Sequence, residues 1–175
     1  MKIIKIKINK IFIRFLLILL LLLFFSSEKK QNDNFFYGFN ILDIIFIPNG
    51  FLHIINNNFS IKKIYIELCK TNVEKNNGSK YRFHLKEDSG IFFILENENE
   101  YRKINMENVQ IPLDIIYIDQ NNKIVYINKY ISPMRKIKIR DFPKSTKIKY
   151  ILEVNAGSSN KWNLKEGFSK IYFNY

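Results

Sequence analysis

The sequence predicts a β-rich α+β fold: a single small domain on a curled antiparallel or mixed sheet, or a small barrel, with two short helices. Three observations carry this expectation. Short apolar runs recur from residue 35 onward, separated by Asn-, Gly- and Pro-containing turns. Several of them, such as "IKKIYIELC" (Ile61–Cys69), partly alternate with period two, the mark of a half-buried strand. Only two polar stretches carry helix punctuation.

The elements follow in order. "ILDIIFI" (Ile41–Ile47) predicts a strand ended by the turn "PNG" (Pro48–Gly50). "FLHII" (Phe51–Ile55) and Ile61–Cys69 are the next strands, divided by three asparagines. In "TNVEKNNGSKY" (Thr71–Tyr81), Thr71 stands as an N-cap with Glu74 three residues on, a capping-box pattern that predicts a short helix. "GIFFIL" (Gly90–Leu95) is a strand before the acidic loop "ENENE", and "RKINME" (Arg102–Glu107) predicts another strand. "LDIIYI" (Leu113–Ile118) and "KIVYINKYI" (Lys123–Ile131) flank "DQNN", a hairpin turn opened by Asp119 with Asx chemistry. "MRKIKIR" (Met134–Arg140) alternates basic and apolar residues and predicts a half-exposed strand with a basic face. "KIKYILEV" (Lys147–Val154) is a strand, "SNKWNLKEG" (Ser159–Gly167) a one- or two-turn helix ending in Gly, and "FSKIYF" (Phe168–Phe173) the last strand.

The first residues read as a leader. Lys2, Lys5, Lys7, Lys10 and Arg14 precede an uninterrupted apolar run of eleven residues, Phe15–Phe25. A bilayer span needs about 20 residues, so the run matches the core of a secretory signal peptide. An uncleaved transmembrane anchor is the alternative, with Ile11–Ile13 joining the run past Arg14. Residues 1–27 are therefore expected to be a signal peptide or N-terminal membrane anchor. The rest would lie across the cytoplasmic membrane, in the periplasm or outside the cell. Residues 28–60 are expected to form a leader-proximal segment with one or two short strands, and 61–175 the domain proper.

Composition narrows the function classes. The formal charge is +12, but residues 1–30 supply +6 of it through seven Lys/Arg and one Glu. Ile, Lys and Asn account for 76 of 175 residues, the signature of an AT-rich genome, so abundant lysine needs no ligand to explain it. Nucleic acid is accordingly a disfavoured partner. A small molecule or an envelope component is the expected class, with membrane contact confined to residues 1–27. The single cysteine, Cys69, excludes an intrachain disulfide and reads as core. His53 and His84 lack ligand spacing to a Cys or to each other, so no metal is expected, and without a Gly-rich phosphate loop no cofactor is expected either. Trp162, the only tryptophan, reads as a core anchor. Residues rare in this composition, such as Gly78, Gly90, Pro112, Pro133, Ala156, Gly157 and Gly167, are expected to answer backbone needs.

The stretch "GIFFILENENEYRKINMENVQIPLDIIYI" (Gly90–Ile118) resembles the central part of the domain-of-unknown-function family 192. That family reads G-M-L-F-x-F, a loop, W-M-K-N-T-x-I-P-L-D and an apolar strand. Ile111, Pro112, Leu113 and Asp114 match its I-P-L-D, and Met106 and Asn108 its Met and Asn. Asn105, Glu107 and Val109 stand in place of its Trp, Lys and Thr. "GSKYR" (Gly78–Arg82) matches G-L-M-x-R at Gly78 and Arg82, "ILEVNAG" (Ile151–Gly157) matches L-E-x-N-A-G, and "NLKEG" (Asn163–Gly167) a closing G-I-x-x-G-D with Phe168 for the Asp. The resemblance covers Ile61–Tyr175. It implies a small β-rich domain, often exported, with no established activity.

Candidate site residues follow from these motifs. Asp114 and Glu153 are carboxylates embedded in apolar strands. They are read first as structural acids that accept backbone or Arg hydrogen bonds. The alternative is a carboxylate-based hydrolase in which the two act as acid and base. Arg82 offers a bidentate fork that Lys cannot, and is expected to pair with a strand carboxylate such as Asp114 or Glu153. A binding surface would involve Arg82, Asn105, Met106, Asn108, Asp114, Asn155 and Gly157. The leading expectation is an exported, non-catalytic binding or envelope-associated module.

Overall fold

The computed structural model describes residues 44–97, 99–138, 141–144 and 147–174. The expected leader, residues 1–27, lies outside them, as do residues 41–43 of the first expected strand and residues 139–140 of the basic one. Seven strands form one mixed sheet: β1 (Gly50–Asn56), β2 (Phe59–Cys69), β3 (Ser89–Ile94), β4 (Leu113–Asp119), β5 (Ile124–Ile131), β6 (Ile148–Asn155) and β7 (Lys170–Asn174). Their order is β5-β4-β6-β3-β2-β1-β7. Every pairing is antiparallel except β2 with β3. A parallel pair needs a crossover, and residues 70–88 provide it with α1 (Asn72–Asn77).

Local chemistry sets these elements as the sequence suggests. Thr71 accepts from the Glu74 N–H while Glu74 accepts from the Thr71 N–H, closing the capping box on α1, which stops at Gly78 with φ +42°. Asp119 Oδ1 accepts from the N–H groups of Asn121 and Lys123, holding the β4–β5 turn. The second helix, α2, is a single turn, Ser158–Lys161, followed by turns to Gly167 at φ +72°.

The sheet separates two apolar clusters by side-chain parity. One face carries Leu52, Ile54, Ile64, Ile66, Phe92, Ile116, Leu152 and Val154, closed by Trp162 and Leu164 from the α2 segment. The sheet curls around this cluster until its two edges meet at one corner. There Lys123 bridges Lys170, and Ile124 N–H donates to Ser169 O at 2.8 Å. The contact is one isolated bridge, so the structure is an open curled sheet and not the small barrel that was its alternative. The other, convex face carries Ile91, Phe93, Ile115, Tyr117 and Ile151, with Tyr101, Met106, Val109 and Ile111 from the loop before β4 laid over them.

Three expected strands are corrected. Residues 44–49 are extended coil: Ile45 and Ile47 face solvent, and the chain is held from β2 by Glu67 Oε2 on Ile47 N–H and by Asn49 Oδ1 on Leu68 N–H. Arg102–Glu107 opens in the last two residues of a 3-10 turn (Glu100–Lys103) and continues as coil, and the segment drops Tyr101 and Met106 onto the sheet. Residues 134–138 leave the sheet edge with their basic residues in water, so period two there has no neighbouring strand to serve. The expectation of a transmembrane helix is corrected for the described residues, among which no helix is long and apolar enough to cross a membrane; its expected position, residues 1–27, lies outside them.

Gly90 shows how tightly β3 meets β6. A Cβ there would lie 2.7 Å from Leu152 Cδ1 and 3.0 Å from Glu153 O. Gly90→Ala is expected to destabilise the domain by about 2 kcal/mol through overpacking, read as a lower urea midpoint with an unchanged slope.

Candidate functional site

Asp114 is fully buried. Pro112, with no N–H to give the ladder, sits just before β4 and brings the carboxylate to the strand's first turn. Opposite it β5 is bulged: Leu113 pairs with Ile131 but Ile115 with Asn128. Tyr130, at φ +53°, is left with a free N–H, and Asp114 Oδ1 accepts it at 2.8 Å. Oδ2 accepts from Gly157 N–H at 3.1 Å, Ser159 N–H at 3.0 Å and Ser159 Oγ at 2.6 Å. Gly157 makes that reversal at φ +89°, pressed against the Tyr130 ring.

Glu153 lies one residue out of phase with this arrangement. Asp114 pairs with Val154, whereas Glu153 pairs with Ile115 and Ile91. The two carboxylates therefore project from opposite faces of the sheet, and the paired acid–base arrangement of the hydrolase alternative does not form. Glu153 is buried and accepts a short hydrogen bond from Ser79 Oγ. Burial pushes its carboxyl up to about 7, against the lowering effects of the Ser79 bond and the Arg82 charge. A cavity of about 50 Å³, lined by residues including Ser79, Lys80, Asn105, Val109 and Glu153, adjoins it.

Arg82 is buried and pairs with a strand carboxylate, but that acid is Glu67 of β2 and neither Asp114 nor Glu153. Nη2 donates to Glu67 Oε1 at 2.6 Å, Nε to Gly78 O at 3.1 Å and Nη1 to Ile44 O at 3.3 Å. Glu67, Ile91 and Glu153 are in register on one face of β2, β3 and β6, so Arg82 bonds the nearer acid and acts on Glu153 through charge alone. Nothing in the motif string marks Glu67; its out-facing position in the alternating run of β2 was the available signal.

The remaining candidates scatter. Asn105 folds its amide onto its own loop, accepting from Glu107 N–H and donating to Lys103 O, while its residue borders the Glu153 cavity. Met106 is core. Asn108, at φ +61°, donates to Tyr81 Oη and accepts from Tyr81 N–H, joining two loops. Asn155 donates to Leu85 O at 2.7 Å and anchors the loop before β3. Cys69 is buried and its thiol is pushed up to about 12, chiefly by desolvation, so no thiolate forms near neutrality. Among the described residues no group of three or more His, Cys, Asp or Glu could hold a metal.

One further opening was not foreseen. A cleft of about 480 Å³ lies between the Phe46–Pro48 segment and Lys86–Ser89, floored by Tyr65. Its two acids are engaged, Asp88 by Lys62 and Glu87 by Lys161.

Comparison with known proteins follows the same lines. The family model DUF192, described as Uncharacterized ACR, matches residues 52–170. No curated protein matches the chain. A protein of unknown function from Novosphingobium aromaticivorans is similar at 21% identity and TM-score 0.59, over 70% of this chain and 83% of that one. A protein described as a "putative transcription regulator" from Sinorhizobium meliloti is similar at 20% identity and TM-score 0.61, over 75% of this chain and 97% of that one. These likenesses extend to the fold.

Two expectations follow. Asp114→Asn keeps the shape but presents an NH₂ group to donors, and should cost about 3 kcal/mol in chemical denaturation. Glu153 is held at about 7, above its ordinary 4.5, so the folded protein holds a proton that the unfolded chain releases between those values. Its contribution is fully present below about 4.5 and is lost as pH rises through about 7. Glu153→Gln should therefore remove a decline in stability between about pH 5 and pH 8 that the parent shows, seen by comparing denaturation midpoints across that range.

Proposed function

From the premise that the chain belongs to the DUF192 family, we propose that it is an exported, non-catalytic binding domain whose ligand sits in the Tyr65 cleft. One observation carries the reading: the embedded acids are spent inside the fold, while a cleft of about 480 Å³ with aromatic and apolar walls stays open. Phe46, Pro48 and Tyr65 offer apolar surface, and Lys86 and Ser89 offer polar groups at the rim. A pocket of this size with few polar groups suits a ring-bearing small molecule or one end of a larger ligand. Export rests on the leader pattern, basic residues followed by Phe15–Phe25. The hydrolase alternative loses its support because Asp114 and Glu153 share no pocket.

The test is ligand-observed and amide NMR with a library of small ring compounds. Hits are expected to move the amides of Tyr65, Lys86, Asp88 and Ser89, and Tyr65→Ala should abolish those shifts. Hits that instead map to Ser79, Asn105 and Glu153 would overturn the placement.

A further inference from the structure

The loops before β4 and after β5 cover only one half of the convex face, over β3, β6 and β4. Among the described residues the same face is open on β7, on β1 and on β2 as far as Tyr65, where the Phe46–Pro48 segment begins to cover it. Its residues stand in rows set by the register: Tyr172, His53 and Lys63 across one row, Asn174, Phe51 and Tyr65 across the next. Tyr172 is 61% exposed and Tyr65 48%. Lys63 Nζ lies 4.4 Å from the Phe51 ring centroid and 5.2 Å from that of Tyr65. Lys170 adds a second cation at the β7 edge. Glu67, the acid on this face of β2, is held by Arg82. The surface is thus aromatic and net positive, and Tyr65 makes it continuous with the cleft.

We infer that this half-face binds an acidic polysaccharide, its sugar rings stacked on Phe51, Tyr65 and Tyr172 and its carboxylates paired with Lys63 and Lys170. The inference rests on the binding-domain reading above and gives its ligand a class. Aromatic rings accept the C–H faces of sugars, and the tyrosine hydroxyls and Asn174 amide suit a polyhydroxyl chain. Strand spacing and rise place Lys63 and Lys170 about 12 Å apart. Single-stranded nucleic acid, which also stacks on aromatics, carries a charge on every nucleotide and would leave phosphates between these lysines unmatched. A polysaccharide with an acid on alternate sugars matches them, and the leader pattern predicts a compartment where such polymers occur.

The full chain is run by affinity electrophoresis through gels containing hyaluronan, an alternating uronate polymer, or neutral dextran, and is titrated with a dT20 oligonucleotide and phosphatidylglycerol vesicles. Hyaluronan should retard it, less so at high salt. Tyr172→Ala and Lys63→Gln should each raise the Kd about five-fold, the equivalent of about 1 kcal/mol, without moving the urea midpoint. Lys129→Gln, on β5, should leave binding unchanged. Equal retardation by dextran overturns the acidic class but leaves the binding-domain reading standing. Capture of dT20 or vesicles without hyaluronan overturns the occupant, and no retardation by either glycan overturns the inference. Failure of the binding-domain reading itself would appear separately, as absent NMR shifts around Tyr65.

Discussion

A carboxylate taken out of water must recover its lost hydrogen bonds inside the protein or become neutral. Asp114 recovers them from Tyr130, Gly157 and Ser159, three residues that no ladder could otherwise serve. The β5 bulge leaves Tyr130 N–H without a strand partner, and the reversal at Gly157 leaves the first N–H groups of α2 pointing inward. One charge satisfies both defects. It also ties the ends of β4, β5 and β6 together, from which α2 and then Trp162 are delivered over the concave core. Had the residue been Leu, the N–H groups would be orphaned; had it been Lys, they would be repelled.

Parity then decides what the second acid can do. Glu153 and Asp114 sit on adjacent strands, separated by a single step of register, and that step sends them to opposite faces. Asp114 faces a ring of N–H donors. Glu153 faces Ser79 and the outskirts of Arg82, and burial holds its proton to near neutrality against the lowering effect of both. Two acids that look alike in their strands thus have different chemistry, and neither shares an open pocket with the other.

Much of the sheet was legible. The strands around I-P-L-D and L-E-x-N-A-G and the capping box at Thr71 and Glu74 follow from local rules, and rarity in the composition marked Gly78, Gly90 and Gly157, although the reason for Gly90 is its contact with β6. The failures have one source. In a chain with isoleucine this abundant, apolar periodicity marks strands and packing loops alike, so residues 44–47, 102–107 and 134–138 read as β although no ladder partner reaches them. The site was less legible. Arg82 was expected to pair with a strand acid, and it does, but choosing Glu67 over Glu153 requires the parallel β2–β3 register, which no local pattern encodes. The Tyr65 cleft is built by segments about 20 residues either side of β2's midpoint, and only the crossover brings them together.

The uneven cover of the convex face follows from the same topology. β2 and β3 are parallel, so the intervening segment must cross, and its Arg82 and Leu85 pack over the middle of that face. The long connection into β4 and the segment after β5 cover β3, β6 and β4 from there outward. Among the described residues, the hairpin joining β1 to β2 and the turn leading into β7 are too short to fold back over the face, and Tyr65 and Tyr172 meet water there. Lys63, with its ammonium over Phe51 and Tyr65, screens that aromatic surface while leaving it accessible. Lys170 charges the β7 edge and discourages pairing with another chain's strand. A face kept soluble by cations set among rings, and not by burying the rings, retains the means to hold an anion.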